Sequence, residues 1–152
     1  MEVTMPNWCD NQLTVKGEEP LVQQFKEKAV GVNPWDDPEP PDEPPAVFNF
    51  HSLVPIPAHV LQQSYEKAGL DWECQNWGCR DGASYAELMD DTGGQLVYRF
   101  GTAWGPPIPF LKHLGKLWPA LKFLLEYSEP GNGLKGICKV HGELCENYSL
   151  QI

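Results

Sequence analysis

The residues in this chain best suited to chemistry are its asparagine–tryptophan and tryptophan–glycine elements: Asn7-Trp8, Asn76-Trp77-Gly78 and Trp104-Gly105. Tryptophan offers a broad flat face with a single donor, and asparagine offers a paired donor–acceptor edge. Together they suit a nucleobase or another planar ligand. Arg80 and Lys16 would add charge for a phosphate. The binding set read this way is Asn7, Trp8, Asn76, Trp77, Arg80 and Trp104. The same residue types also serve a plainly structural role, with tryptophans filling a core and asparagines tying down loop backbone.

Metal and covalent chemistry are less well supported. Cysteines stand at 9, 74, 79, 138 and 145. Cys74 and Cys79, with Cys138, His141 and Cys145, offer soft ligands in two clusters, but neither contains the compact Cys-x-x-Cys knuckle of structural zinc sites. Free thiols are the expectation, with no cofactor and no metal assigned, and zinc is the alternative. His51, His59, His113 and His141 have no nucleophile in a recognisable local context. Asp10 beside Cys9 disfavours a thiolate. Asp90 and Asp91 read as turn residues. The chain lacks a Gly-rich phosphate loop, a nucleophile elbow and a zinc-protease helix, so no catalytic residue is assigned and a non-enzyme is expected. Thr102-Ala103-Trp104-Gly105-Pro106-Pro107 precedes a helix and would offer N–H groups to an anion. Pro106, Pro107 and Pro109 remove three of those donors, which favours a rigid crossover.

The formal net charge of -10 argues against coating duplex nucleic acid, which needs clustered Lys and Arg. It suits a basic protein partner, or a local anion site within an acidic exterior. Half of that charge is concentrated in Asp36, Asp37, Glu39, Asp42 and Glu43. These lie in residues 33–45, a stretch with six prolines that reads as an extended loop or spacer. If the stretch instead docks a partner, Trp35 is the anchor. No apolar run approaches the ~20 residues needed to span a bilayer. The odd cysteine count and the absence of a basic, apolar leader at the start point to reduced thiols in a cytosol.

The elements that must position these residues follow from periodicity. Residues 11–17 alternate and end at Gly17, which predicts a strand. Glu18, Glu19 and Pro20 open a helix with Leu21, Val22, Phe25 and Ala29 on one face and Gly31 as a stop. Residues 48–57 read as a short extended segment, residues 58–68 as a helix, and residues 70–84 as a structured loop. Strands at 85–89 and 95–102 flank Asp90-Asp91-Thr92-Gly93-Gly94, a hairpin connection. Pro109 opens a helix bearing Phe110, Leu111, Leu114, Leu117 and Trp118, and Pro119 ends it. Leu121, Phe123, Leu125 and Tyr127 alternate as a strand, and residues 134–140 and 144–150 pair as terminal strands. The order predicts a single α+β domain over residues 1–152 with a ferredoxin-like antiparallel sheet, its helices on one face, an inserted proline-rich loop and a terminal strand extension.

Three blocks carry a family resemblance. Met5-Pro6-Asn7-Trp8-Cys9-Asp10-Asn11 with residues 13–17 resembles an N-terminal signature. Residues 72–83, around Asn76-Trp77-Gly78, resemble a central motif, and Thr102 to Pro107 with residues 123–129 resemble a C-terminal block. The family is the YubB-like set of phage and plasmid proteins. The resemblance implies a ferredoxin-like domain and a mobile-element setting but no reaction. Cys79, Arg80 and the pair Asp81-Gly82 depart from the family's usual central motif of Asn-Trp-Gly-Thr-Lys-Trp-Asp.

The leading expectation is a non-catalytic binding protein acting in the bacterial cytoplasm, a counter-defence inhibitor that blocks a host protein through Trp35, Asp36, Asp37, Glu39, Asp42 and Glu43. The second is a protein that sequesters a nucleotide signal between its tryptophan-bearing loops. The third is a small hydrolase acting on such a nucleotide. Homodimerisation fits a sheet with one face left open.

Overall fold

The computed structural model describes residues 7–35 and 44–151. Strand β1 (Trp8–Lys16) alternates strictly, burying Cys9, Asn11, Leu13 and Val15 and presenting the residues between them on the other face. Helix α1 (Glu19–Lys28) starts with a proline in its first turn and a carboxylate at its positive end. Lys26 and Lys28 sit at its negative end. It buries Val22 and Phe25.

Three short helices precede the next strand: α2 (Phe50–Leu53), α3 (Ala58–Leu61) and α4 (Leu70–Asn76), with a π turn over Tyr65–Gly69 between the last two. They correct three expectations. The segment at 48–57 is not wholly extended, because the Asn49 side chain accepts from Ser52 N–H at 2.9 Å and caps a helical turn that buries Phe50 and Leu53. The helix expected over 58–68 breaks after Leu61 and restarts at Ser64, whose side chain accepts from Lys67 N–H. Residues 70–84 are not a loop but α4 followed by the start of β2. The helical period is hidden there because the residue facing inward is Glu73, which is fully buried.

Strands β2 (Arg80–Asp91) and β3 (Gln95–Ala103) form the hairpin. Helix α5 (Ile108–Leu117) crosses to β4 (Lys122–Glu129), and β5 (Leu134–His141) and β6 (Leu144–Gln151) finish the chain. Leu117, at helical spacing with Phe110, Leu111 and Leu114, is exposed. The sheet order is β2-β3-β1-β4-β5-β6, antiparallel throughout. Strands β4-β1-β3-β2 with α1 and α5 make the ferredoxin-like arrangement. The α2–α4 region is inserted after α1, and β5–β6 extend the β4 edge.

The helices cover one face. Leu13, Val15, Leu96, Tyr98, Phe123 and Leu125 meet Phe25, Phe48, Phe50, Phe110, Leu111 and Leu114 there. Phe50 and Phe110 stack at 3.7 Å between ring centroids. Among the described residues no helix is long and apolar enough to cross a membrane. Gly31 and Ala46 exchange two backbone hydrogen bonds, at 3.1 and 2.9 Å, which close the base of the proline-rich segment.

Candidate functional site

The three sequence blocks meet at one corner of the sheet. Backbone pairing puts Trp8, Ala103 and Arg80 in one cross-strand row, Asp10, Gly101 and Ser84 in the next, and Gln12, Arg99 and Glu87 in a third. Side chains in these rows point to the helix-free face. Between Trp8 and Tyr85, whose rings lie 6.1 Å apart at 59°, a cleft of about 560 Å³ opens over Gly101. A methyl group on Gly101 would lie 3.4 Å from the Trp8 ring. The indole thus passes over Gly101 at ordinary contact distance. Asp10, Glu87 and Arg99 complete the lining.

Beside the cleft, Arg80 stacks on Trp104, with its guanidinium carbon 5.6 Å from the ring centroid and its Nε 3.2 Å from Asp81 Oδ2. Trp104 is held by its own backbone, whose N–H donates to Asn7 O at 2.9 Å. Beneath it, buried Thr102 donates to Gly105 O at 2.6 Å and accepts from Asn11 Nδ2 at 3.0 Å. Asn11 Nδ2 also donates to Cys9 O at 3.1 Å. This polar network locks the crossover that displays Trp104.

Three non-glycine residues among those described have positive φ: Asp81 at 66°, Tyr85 at 55° and Trp104 at 78°. All three belong to this corner. Left-handed backbone costs an L-residue about 1–2 kcal/mol. Tyr85 is nonetheless held there and is 86% exposed, so the conformation presents a ring to solvent without burying apolar surface. The β2 backbone takes three register shifts against β3 to do so.

The structure unites Asn7, Trp8, Arg80 and Trp104 and removes Asn76 and Trp77 from the set. Trp77 is 2% exposed, lies edge-on to Phe50 and Trp72, and donates its indole N–H to Val54 O at 3.1 Å. It has no open face to stack on. Asn76 donates from Nδ2 to Trp72 O. Gly78, at φ 84°, admits the Pro109 ring at a distance no side chain would allow, so this central motif seats the start of α5. Tyr85, Arg99 and Gly101 were missed. Their signal was the solvent-side half of the strand alternation.

Trp35 is also reassigned, because it packs edge-on against Tyr65 at 5.3 Å and covers Gly69 within its own chain. Asp36, Asp37, Glu39, Asp42 and Glu43 lie outside the described residues. Near Trp35, Glu73 Oε1 accepts from Tyr65 Oη at 2.8 Å and from Asp81 N–H at 2.9 Å. Burial nevertheless raises its pKa above the usual carboxylate range.

Three of the five thiols, Cys9, Cys79 and Cys138, are buried. Burial and the nearby Glu129 carboxylate push Cys9 up to about 12, and burial raises Cys74 and Cys79. Cys138 and Cys145 approach to 3.9 Å on the helix side, whereas His141 sits on the opposite face, so alternation separates that ligand set. His51 Nδ1 accepts from Ile56 N–H at 3.0 Å.

Residues 83–151 match the family model described as the ferredoxin-like domain in Api92-like protein, a match that covers somewhat under half of the chain. The crystal structure of a protein api92 from Yersinia pseudotuberculosis is similar over 97% of this chain and 99% of that one, with a TM-score of 0.73 and 9% sequence identity. At that identity the likeness is one of fold. No curated protein matches the chain. Over β2 to β6 the chain thus matches the ferredoxin-like domain of Api92-like proteins.

Proposed function

We propose that this protein is a non-catalytic binding protein whose sheet corner captures a planar, phosphate-bearing ligand of the nucleotide class. The observation that carries the reading is the convergence of the three left-handed non-glycine residues among those described on one exposed aromatic–arginine cluster. A base would slide against Trp8 and Tyr85 above Gly101, while Arg80 and Arg99 would meet phosphate oxygens. Asp10, Glu87 and Asp81 would reject ligands with too much unmatched negative charge and would accept exocyclic amines.

The test is thermal melting against a panel of mono-, di- and cyclic nucleotides. One nucleotide class should raise Tm. Trp8→Ala and Arg80→Ala should each abolish the shift while leaving the unliganded Tm within a few degrees. A flat response across the panel refutes the reading. Unchanged nucleotide after incubation separates capture from the hydrolase alternative.

The acidic segment supports a second reading, a counter-defence inhibitor of a phage or plasmid of the YubB-like kind, working in the bacterial cytoplasm. Five carboxylates concentrated within residues 36–43, in the stretch between the hydrogen-bonded Gly31 and Ala46, would face a basic protein surface. Salt-sensitive capture of a host protein, lost when Asp36, Asp37, Glu39, Asp42 and Glu43 are neutralised together, is its expected signature.

A further inference from the structure

At the opposite end of the open sheet face the chain gathers positive charge that nothing in the fold requires. Register pairs Lys16 with Lys122, Lys122 with His141, and His141 with Leu144, making one row across β1, β4, β5 and β6. The adjacent row on the same face runs Thr14, Leu124, Lys139 and Glu146. The two rows line a cleft of about 310 Å³, with Thr14, Leu124 and Leu144 among its walls.

Like charges directly opposite in a sheet are destabilising. Lys16 and Lys122 are nevertheless opposed, and they occupy central strands, where lysine has no edge to protect. Carboxylates are plentiful, with 21 in the chain against 11 lysines and arginines. Yet the two ion pairs among the described residues are Lys26–Asp91 and Arg80–Asp81, so Lys16, Lys122 and Lys139 have no carboxylate within salt-bridge distance there. The cleft's own acid, Glu146, stands opposite Lys139 and accepts from Tyr148 Oη at 3.5 Å.

We infer that this cleft is a second binding site, separate from the aromatic corner, for a small soluble molecule with an anionic head and an apolar or aromatic body. Lys16, Lys122 and Lys139 would hold the head by charge-assisted hydrogen bonds, and Leu124 and Leu144 would carry the body. The cleft has room for about one or two rings, and the acidic exterior repels an anionic membrane, so a free molecule fits it better than a lipid surface.

The probe is 1-naphthyl phosphate, titrated calorimetrically at low salt beside inorganic phosphate and 1-naphthol. The ester should bind about tenfold or more tightly than either fragment, and the Lys16→Gln/Lys122→Gln double variant should lose about tenfold in affinity. Trp8→Ala should leave this binding intact. Melting of the double variant without ligand should stay at or above the wild-type Tm at low salt, because a like-charge contact is removed, which shows that the variant is folded. The inference is overturned if the ester binds no better than naphthol, if the lysine variant binds it unchanged, if Trp8→Ala abolishes the binding, or if the protein binds anionic vesicles in preference to the ester.

Discussion

The tryptophan of the central motif and those of the terminal motifs come from similar local sequences and meet opposite fates. Trp77 is enclosed, its N–H is bonded to Val54 O and its neighbouring glycine admits Pro109, so it fastens the inserted helices to α5. Trp8 and Trp104 are partly exposed and paired with Tyr85 and Arg80, and it is Tyr85 and Trp104 whose backbone the chain holds in an unfavourable conformation. A glycine follows both Trp77 and Trp104, and in both places the backbone turns left-handed, at Gly78 and at Trp104 itself. What separates packing from presentation is whether the ring falls on the helix side of the sheet or the open side.

Four changes would break or sharpen that comparison, in falling order of effect. Trp77→Ala should cost about 3–5 kcal/mol in urea unfolding. An outcome under about 1.5 kcal/mol would mean that the ring is not a core residue. Asn11→Ala removes the donor shared by Cys9 O and Thr102 Oγ1 and should cost about 1–3 kcal/mol. It should also weaken ligand binding at the corner, because the crossover carrying Trp104 loses its anchor.

Trp104→Gly should hold stability within about 1 kcal/mol of wild type. Relief of left-handed strain offsets the lost cation–π contact and the greater backbone freedom of glycine. Affinity at the corner should fall all the same, and a matching loss of stability would make Trp104 a packing residue like Trp77.

The smallest effect concerns pH. Burial raises the Glu73 pKa in the folded chain, so folding favours its protonated form. Stability should therefore decline as pH rises from the ordinary carboxylate range through the raised value. Glu73→Gln should flatten that slope in melting curves recorded across the window, and a slope that persists would assign it to other groups.

Much of the fold was legible because its strands alternate cleanly. Leu13 and Val15, or Phe123, Leu125 and Tyr127, state their face directly, and the hairpin and α5 carry their own turn and proline signals. The insertion was harder to read. Helix α4 turns a carboxylate inward, so its apolar period fails at the residue that matters, Glu73. The corner was half legible. Asn7, Trp8, Arg80 and Trp104 stand out as residue types, but their meeting depends on the pairing of β1 with β3 and β2. No local pattern encodes that register. Tyr85 and Gly101 were hidden because one is an ordinary strand residue and the other is an ordinary strand defect until their neighbours are known. The lysine row was hidden for the same reason, since Lys16, Lys122 and Lys139 are far apart in the chain.

Gly101 shows how lightly such a corner is written into the chain. A hydrogen atom stands on the cleft side of β3 where other residues carry a side chain, and a methyl group in its place would only touch the Trp8 ring at 3.4 Å. A branched side chain there would take up part of the space between Trp8 and Tyr85 while the β1–β3 pairing stays the same. Among chains that share this architecture at low identity, the occupant of this one position on β3 would set how much room the corner has.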